Sequence, residues 1–281
     1  MFGRDKIEYK THDQVRLMRR AGLVVADALA AVRAQARPGQ TTADLDAIAA
    51  DVIRSAGATP SFLGYDGFPA TLCVSINDEI VHGIPGPRVL EPGDVVSVDC
   101  GAIVEGWHGD SATTIVLADA DPLDVELVAA TERAMWAGIA ALATGERLGG
   151  VGEAVEGVVD AAQAAGANGG ARYGVIQEYV GHGIGSAMHQ APDVPHYRTR
   201  DRGPRLKPGM CLAVEPMLVR GGRGTQVLED DWTVVTDDGS RAAHWEHSVA
   251  VLEGGIWVLT ATDGGAQWLA SLGVGVAPLA H

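Results

Sequence analysis

Apolar residues along the chain change between helical and alternating spacing, and each change marks an element. Val15, Met18, Gly22, Val25, Leu29 and Val32 follow helical spacing. Thr11-His-Asp-Gln14 ahead of them fits a capping box, and Arg37-Pro38-Gly39 stops the helix. A second helix opens at Thr41 or Thr42, carries Leu45, Ile48, Val52 and Ile53 on one face and ends at Gly57. Residues 60–69 form a Gly- and aromatic-bearing loop, and residues 71–77 alternate as a strand closed by an Asn-Asp turn. Val81-His82-Gly-Ile-Pro-Gly-Pro87 is too proline-rich for a regular element. Asp121-Pro122 is an N-cap with Pro at the first helical position, and Leu127, Thr131, Met135, Ile139 and Leu142 give the inner face of a helix ending at Gly145. A further helix runs from about Val151 to Gly166, followed by a short Gly-rich connection.

Between these helix pairs lies the most informative stretch, residues 95–116. It reads as two strands folded back at Glu105-Gly106, a two-residue turn with Gly in second place. That register sets Val104 opposite Trp107 and Asp99 opposite Ala112. Side chains alternate along a strand, so Asp110 shares a face with Ala112 and with Asp99. The two carboxylates become diagonal neighbours, with Cβ atoms up to about 7–8 Å apart. An isolated Asp pair on a hairpin is ordinarily solvated. Here Val95, Val96, Val98, Ile103, Val104, Ile115 and Val116 make the hairpin apolar on both sides, and buried carboxylates facing one space repel unless a cation lies between them.

The order helix, helix, strands occurs twice, over residues 11–117 and 121–261, without a residue-level repeat. This predicts an α+β domain of two related halves, with a cleft between them as the natural site. Residues 263–281, mostly Gly, Ala, Leu and Val with Trp268, lack periodicity and read as a tail.

Composition narrows the class. A chain of 281 residues, 47% hydrophobic and 20% charged, has ample material for a globular core. A net charge of −15, from 21 basic and 36 acidic residues, argues against a broad nucleic-acid footprint. Cys73, Cys100 and Cys211 have no CxxC spacing and sit in apolar runs, so buried free thiols in a reducing compartment are expected. No signal peptide and no run of about 18 apolar residues is present, which predicts a soluble, cytoplasmic protein.

Three more segments carry candidate chemistry. In Tyr179-Val-Gly-His182-Gly-Ile-Gly-Ser-Ala-Met-His189, glycines flank His182 and leave its imidazole accessible. Residues 208–217 form an apolar strand ending at Glu215, with Pro216 stopping the ladder. Trp245-Glu246-His247 begins another strand with a carboxylate among apolar residues. Such acids are costly to bury alone. Asp99, Asp110, His182, Glu215 and Glu246 together make a hard, oxygen-rich set whose four negative charges suit two divalent cations about 3.5–4 Å apart. A metal pair that lowers the pKa of a shared water would hydrolyse an amide or a phosphoester.

With these motifs in order, the chain resembles type I methionine aminopeptidases. The signs are Val81-His82-Gly-Ile-Pro85, the Val98-Asp99 to Gly109-Asp110 spacing, Gly181-His182-Gly-Ile-Gly185 with His189, Val214-Glu215-Pro-Met217, and Trp245-Glu246-His247. The resemblance covers roughly residues 8–261. It implies the pita-bread fold: two pseudo-symmetric halves, a central curved antiparallel sheet and helices outside, forming one catalytic domain over residues 8–262. It implies removal of the initiator Met from nascent chains and peptides, with a small second residue required. Asp99 would chelate one metal, Asp110 and Glu246 would bridge, and His182 and Glu215 would complete the second. Glu215 would also accept and donate the proton. His82 and His189 would contact the scissile amide, and Tyr65, Phe68, Cys73 and Trp232, with Phe62 and Met188 at the rim, would hold the Met side chain. Phe62, Phe68 and Met188 depart from the residues usual in the family, which would alter pocket size, while thioether and aromatic surfaces both suit a Met side chain. The ions would be cobalt, manganese, iron(II) or zinc. The expected partners are Met-peptides and nascent chains, with transient ribosome contact, no membrane, no specific nucleic acid and a monomeric state.

Overall fold

Thr11 opens the first helix by the capping box its sequence specifies. Its hydroxyl accepts from the Gln14 N–H, and the Gln14 side chain accepts from the Thr11 N–H. This helix is α1 (His12–Gln35), and Thr41 with Asp44 caps α2 (Thr42–Ser55) in the same way. The Asp121 side chain accepts from the Leu123 N–H to start α3 (Pro122–Thr144), which ends at Gly145, and α4 (Gly150–Ala164) follows. The computed structural model describes residues 6–279; the first five residues of the mixed-charge start and the last two of the predicted tail lie outside them.

The strands of the first half are β1 (Thr59–Pro60), β2 (Leu72–Ile76), β3 (Glu79–Val81), β4 (Val95–Val104) and β5 (Trp107–Val116). Those of the second half are β6 (Gly174–Val175), β7 (Gly181–Gly183), β8 (Gln190–Val194), β9 (Cys211–Val214), β10 (Met217–Val219), β11 (Thr225–Val227), β12 (Val234–Thr236), β13 (Ala242–His244), β14 (His247–Leu252) and β15 (Gly255–Val258). Their ladders are antiparallel. The fold is α+β, as expected, but the strands are divided among four hydrogen-bonded sheets. They run β1-β4-β2 with β5 on β4, β15-β14-β9-β7-β8, β13-β10-β6, and β11-β12-β3. Register irregularities in β7 and β12 and strands of two or three residues divide them.

The β4–β5 hairpin has the register read from the sequence. Val104 pairs with Trp107 and Asp99 with Ala112. Glu105 and Gly106 both have positive φ, the backbone hand that lets a two-residue loop follow the strand twist. Helices lie outside the sheets in both halves. Val25, Leu29, Leu45 and Ile53 pack on Val96, Val98 and Cys100, while Leu127, Met135, Ile139 and Val155 pack on Leu212, Val214 and Val249. At Gly109 the backbone of α1 comes so close that a Cβ would overlap Gly22, so only glycine lets the helix brace the strand one residue before Asp110.

The reading of residues 263–281 as a tail is corrected over the part described. Ala266–Ser271 forms α5, Leu269 is buried, and Trp268 stacks on Trp136 with ring centroids 5.6 Å apart. Beyond it, the Ala277 N–H donates to the Ile256 carbonyl. A six-residue helix is too short to show a period, and its docking comes from one aromatic and one leucine. Among the described residues no helix is long and apolar enough to cross a membrane.

Candidate metal centre

The two halves meet along a seam on the outer edge of β5. The Ala112 N–H donates to the Glu246 carbonyl and the Glu246 N–H to the Ala112 carbonyl, at 3.3 and 3.0 Å. The Ser248 hydroxyl donates to the Asp110 carbonyl at 2.7 Å and accepts from its N–H at 3.2 Å. The Ser111 hydroxyl donates to the Glu246 carbonyl at 2.6 Å. These bonds set Asp110 beside Glu246, both nearly inaccessible at 3% and 2% exposure. Asp99 reaches the same space from β4, since Asp99 and Asp110 belong to one face of the hairpin.

His182 and Glu215 arrive from neighbouring strands. His182 is the central residue of β7 and Glu215 follows the last residue of β9, its paired neighbour. The glycines flanking His182 are required by strand packing, and His182 itself lines the cavity. A Cβ at Gly181 would overlap the Ala213 carbonyl, and one at Gly183 the Ala191 carbonyl.

All thirteen residues singled out in the sequence line one cavity of about 100 Å³. Its carboxylate end holds Asp99, Asp110, His182, Glu215 and Glu246. Its apolar end holds Phe62, Phe68, Cys73 and Met188, packed together with Trp232. Phe68 meets Trp232 edge to face at 5.0 Å. Tyr65, His82 and His189 stand between the two ends in composition. The Tyr65 hydroxyl shares a hydrogen bond with His189 Nδ1 at 2.9 Å, and His82 lies edge-on to Tyr179 and Trp232. His82 has φ +59°, a strained backbone for a residue with a Cβ, and the strain aims a side chain into the cavity.

The acids at the carboxylate end can be ionised together only with a cation among them; otherwise they take up protons. Burial first, then the mutual repulsion of the acids, pushes Asp110, Glu215 and Glu246 well above the ordinary carboxylate range, and burial lifts Asp99 to about 7. Burial, then neighbouring His189, lowers His182 to about 3 and His82 to about 4, so both imidazoles are neutral at pH 7. A carbonyl oxygen can only accept, so the 3.0 Å contact of His182 Nδ1 with the Gly183 carbonyl puts the ring proton on Nδ1. Nε2 is then a lone pair, 3.3 Å from Glu215 Oε1. With Glu215 ionised, two acceptors would face each other, and only a shared proton or a cation could join them. Among the described residues, each carboxylate oxygen that is buried without a partner belongs to this cluster: Asp99 Oδ1, Asp110 Oδ1, Glu215 Oε1 and Glu246 Oε1. Ligand atoms of Asp110, His182 and Glu246 lie within 4.8 Å of one another, as do those of Glu215, His244 and Glu246. The donor set fits divalent cations.

Comparison with known proteins agrees with this geometry. Residues 16–253 match the sequence model of metallopeptidase family M24. The chain belongs to metallopeptidase family M24. Within that family it is 49% identical to methionine aminopeptidase 1 of Mycobacterium tuberculosis over 92% of this chain and 96% of that one. It is 44% identical to methionine aminopeptidase 1 of Bacillus subtilis, over 89% and 98%. The crystal structure of a Thermotoga maritima methionine aminopeptidase superposes with a TM-score of 0.85 at 38% identity, covering 91% of this chain and 99% of that one. Prolidase from Pyrococcus furiosus shares the fold at a TM-score of 0.69 and 19% identity, covering 90% of this chain and 65% of that one. The pita-bread fold and the hydrolase class expected from the motifs therefore hold for this M24 chain.

Two buried histidines at the site were not among the sequence candidates. The Glu215 N–H donates to His196 Nε2 at 2.9 Å, and His244 Nε2 stands 3.7 Å from Glu215 Oε2. His244 lies two residues before Glu246, and an extended chain puts such residues on one face; that spacing was the available signal. His196, nineteen residues before Glu215, gave none.

Proposed function

We propose that this chain is a dinuclear metallo-aminopeptidase that removes the N-terminal Met from peptides and nascent chains. The observation that carries the reading is the cluster of partnerless buried carboxylate oxygens, with the His182 Nε2 lone pair 3.3 Å from Glu215 Oε1, adjoining an apolar pocket. Asp99, Asp110, His182, Glu215 and Glu246 would hold two divalent cations drawn from cobalt, manganese, iron(II) and zinc. Bound there, the cations supply Lewis acidity and a lowered pKa for water.

The chain's own residues divide the remaining work. The pocket of Phe62, Phe68, Cys73, Met188 and Trp232 takes one unbranched apolar side chain, and its aromatic and thioether surfaces suit Met. The apolar end would take the side chain of the N-terminal residue, with the bond to be cleaved at the carboxylate end. His82 and His189, neutral at pH 7, donate N–H to the scissile carbonyl and to its developing oxyanion. Glu215 holds the proton in transit between the attacking water and the departing amine nitrogen. His182 and His189 also line a neighbouring groove of about 970 Å³, with Arg147, Gln190, Asp193 and Asp201 along it. The groove is the path for the substrate beyond the cleaved bond, and a small second residue is the one that passes the histidines. The catalytic unit runs over residues 8–262, braced by the helix that follows.

The test is hydrolysis of Met-Ala-Ser before and after chelation, with metal restored afterwards. Release of Met that chelation abolishes and metal returns is expected. Release of Ala from Ala-Pro-Ala, with Met-Ala-Ser left intact, would replace this reading with a proline-directed one.

A further inference from the structure

Resting on the metal-centre reading above, we infer that His244 is a sixth ligand of the centre, supplying an imidazole to the ion on the Glu215 and Glu246 side. His244 stands behind the cavity wall, beside Glu215 and Glu246. His244 is 1% exposed, and its Nε2 is buried with no hydrogen-bond partner. Ligand atoms of Glu215, His244 and Glu246 fall within 4.8 Å of one another, and Glu246 is also a member of the group with Asp110 and His182.

Distance separates a ligand from a hydrogen bond here. His244 Nε2 to Glu215 Oε2 is 3.7 Å, beyond the ~2.7–3.2 Å of an N–H···O bond. Two donor atoms held at ~2.0–2.2 Å by one ion are separated by roughly 3–3.6 Å for tetrahedral to octahedral geometry. The 3.7 Å spacing lies just beyond that range and well beyond a hydrogen bond, so a small shift of either side chain brings both atoms onto one ion. His182 Nε2 and Glu215 Oε1, at 3.3 Å, show the same relation on the other side of that carboxylate. The backbone that carries the imidazole is also held in place. Thr114 Oγ1 accepts from the His244 N–H at 3.0 Å and donates to the His244 carbonyl at 2.7 Å. Thr114 lies on the hairpin strand that carries Asp110, so one strand positions ligands from both halves.

With His244 included, each three-residue group has one imidazole, and Glu246 is common to both. A second nitrogen donor biases the centre towards zinc, cobalt and iron(II) over magnesium and calcium. The experiment is cobalt titration of the metal-free protein by calorimetry and visible absorption, with wild type, His244→Gln and His244→Ala. Wild type is expected to take up two ions. Both variants should bind one of them at least ~10–100-fold more weakly, with a changed cobalt spectrum. Circular dichroism of the metal-free variants checks folding, and His244→Gln, which keeps a polar side chain of similar reach, serves if the alanine variant does not fold. Two ions bound by His244→Gln within twofold of wild type, with the same spectrum, would overturn the inference while leaving the centre intact. Wild-type protein that binds no cobalt would overturn the centre itself.

Discussion

Ala112 and Glu246 exchange two backbone hydrogen bonds, N–H to carbonyl in each direction, and through them the two halves of the fold share one site. Glu246 belongs to that pair and Asp110 lies two residues from Ala112, so ligand atoms of both buried carboxylates fall within 4.8 Å of each other. The seam is extended by Ser248, Ser111 and Thr114, which tie β5 to residues 244–248.

Ser248 gives the first prediction. Ser248→Ala leaves the Asp110 N–H and carbonyl without the hydroxyl that pairs with both. Stability should fall by roughly 1–3 kcal/mol, and metal affinity should fall with it. Urea unfolding with and without metal measures both, and an unchanged midpoint would count against the seam as the support of Asp110.

Metal removal should destabilise the protein more as pH rises. Asp99 has its folded pKa raised to about 7, against an ordinary value of 3.8, and Asp110, Glu215 and Glu246 move in the same direction. A carboxyl with a raised folded pKa contributes stability that is full below about 3.8 and lost as pH climbs through about 7. Bound cations remove that loss, because they bind the ionised form. The gap in Tm between loaded and metal-free protein should therefore widen from pH 5 to pH 8. A gap independent of pH would contradict the burial of these acids together.

Tyr65→Phe should slow turnover without changing metal content. The Tyr65 hydroxyl fixes His189 through Nδ1 at 2.9 Å, and losing one such bond is worth about 0.5–1.5 kcal/mol, or roughly 3–10-fold in kcat/KM. Steady-state hydrolysis of Met-Ala-Ser, with metal analysis of the same sample, checks this. Loss of metal instead would move Tyr65 into the ligand framework.

Cys73→Leu tests the pocket separately from the centre. Cys73 is buried at the apolar end, and added methyl groups fill a cavity of about 100 Å³. KM for Met-peptides should rise about tenfold or more, in line with the ~1–3 kcal/mol that overpacking costs. Unchanged kinetics would place the Met side chain elsewhere.

Much of this was legible in the sequence, for local reasons. The caps at Thr11, Thr41 and Asp121, and the hairpin register about Glu105-Gly106, depend on residues within a few positions of one another. The register alone put Asp99 and Asp110 on one face. The short ladders of β6 and β10–β13 were not legible, because two- and three-residue strands take their partners from tertiary packing. The glycines about His182 also admit the backbones of adjacent strands, a contact between distant segments that local sequence does not show. Trp268 gave no period, yet it stacks on Trp136, which also packs edge-on against His247 beside Glu246. His196 and His244 show the same limit: a lone histidine among apolar residues reads as core until its neighbours are known.

The central claim is that a metal centre spanning both halves performs the removal of Met, and Asp110→Ala tests it most directly. Ion content per chain and turnover of Met-Ala-Ser should be measured on the same purified sample. The account predicts that fewer ions are retained than in wild type and that turnover falls by roughly 10²–10³-fold or more. Wild-type ion content and wild-type turnover in the variant would contradict it.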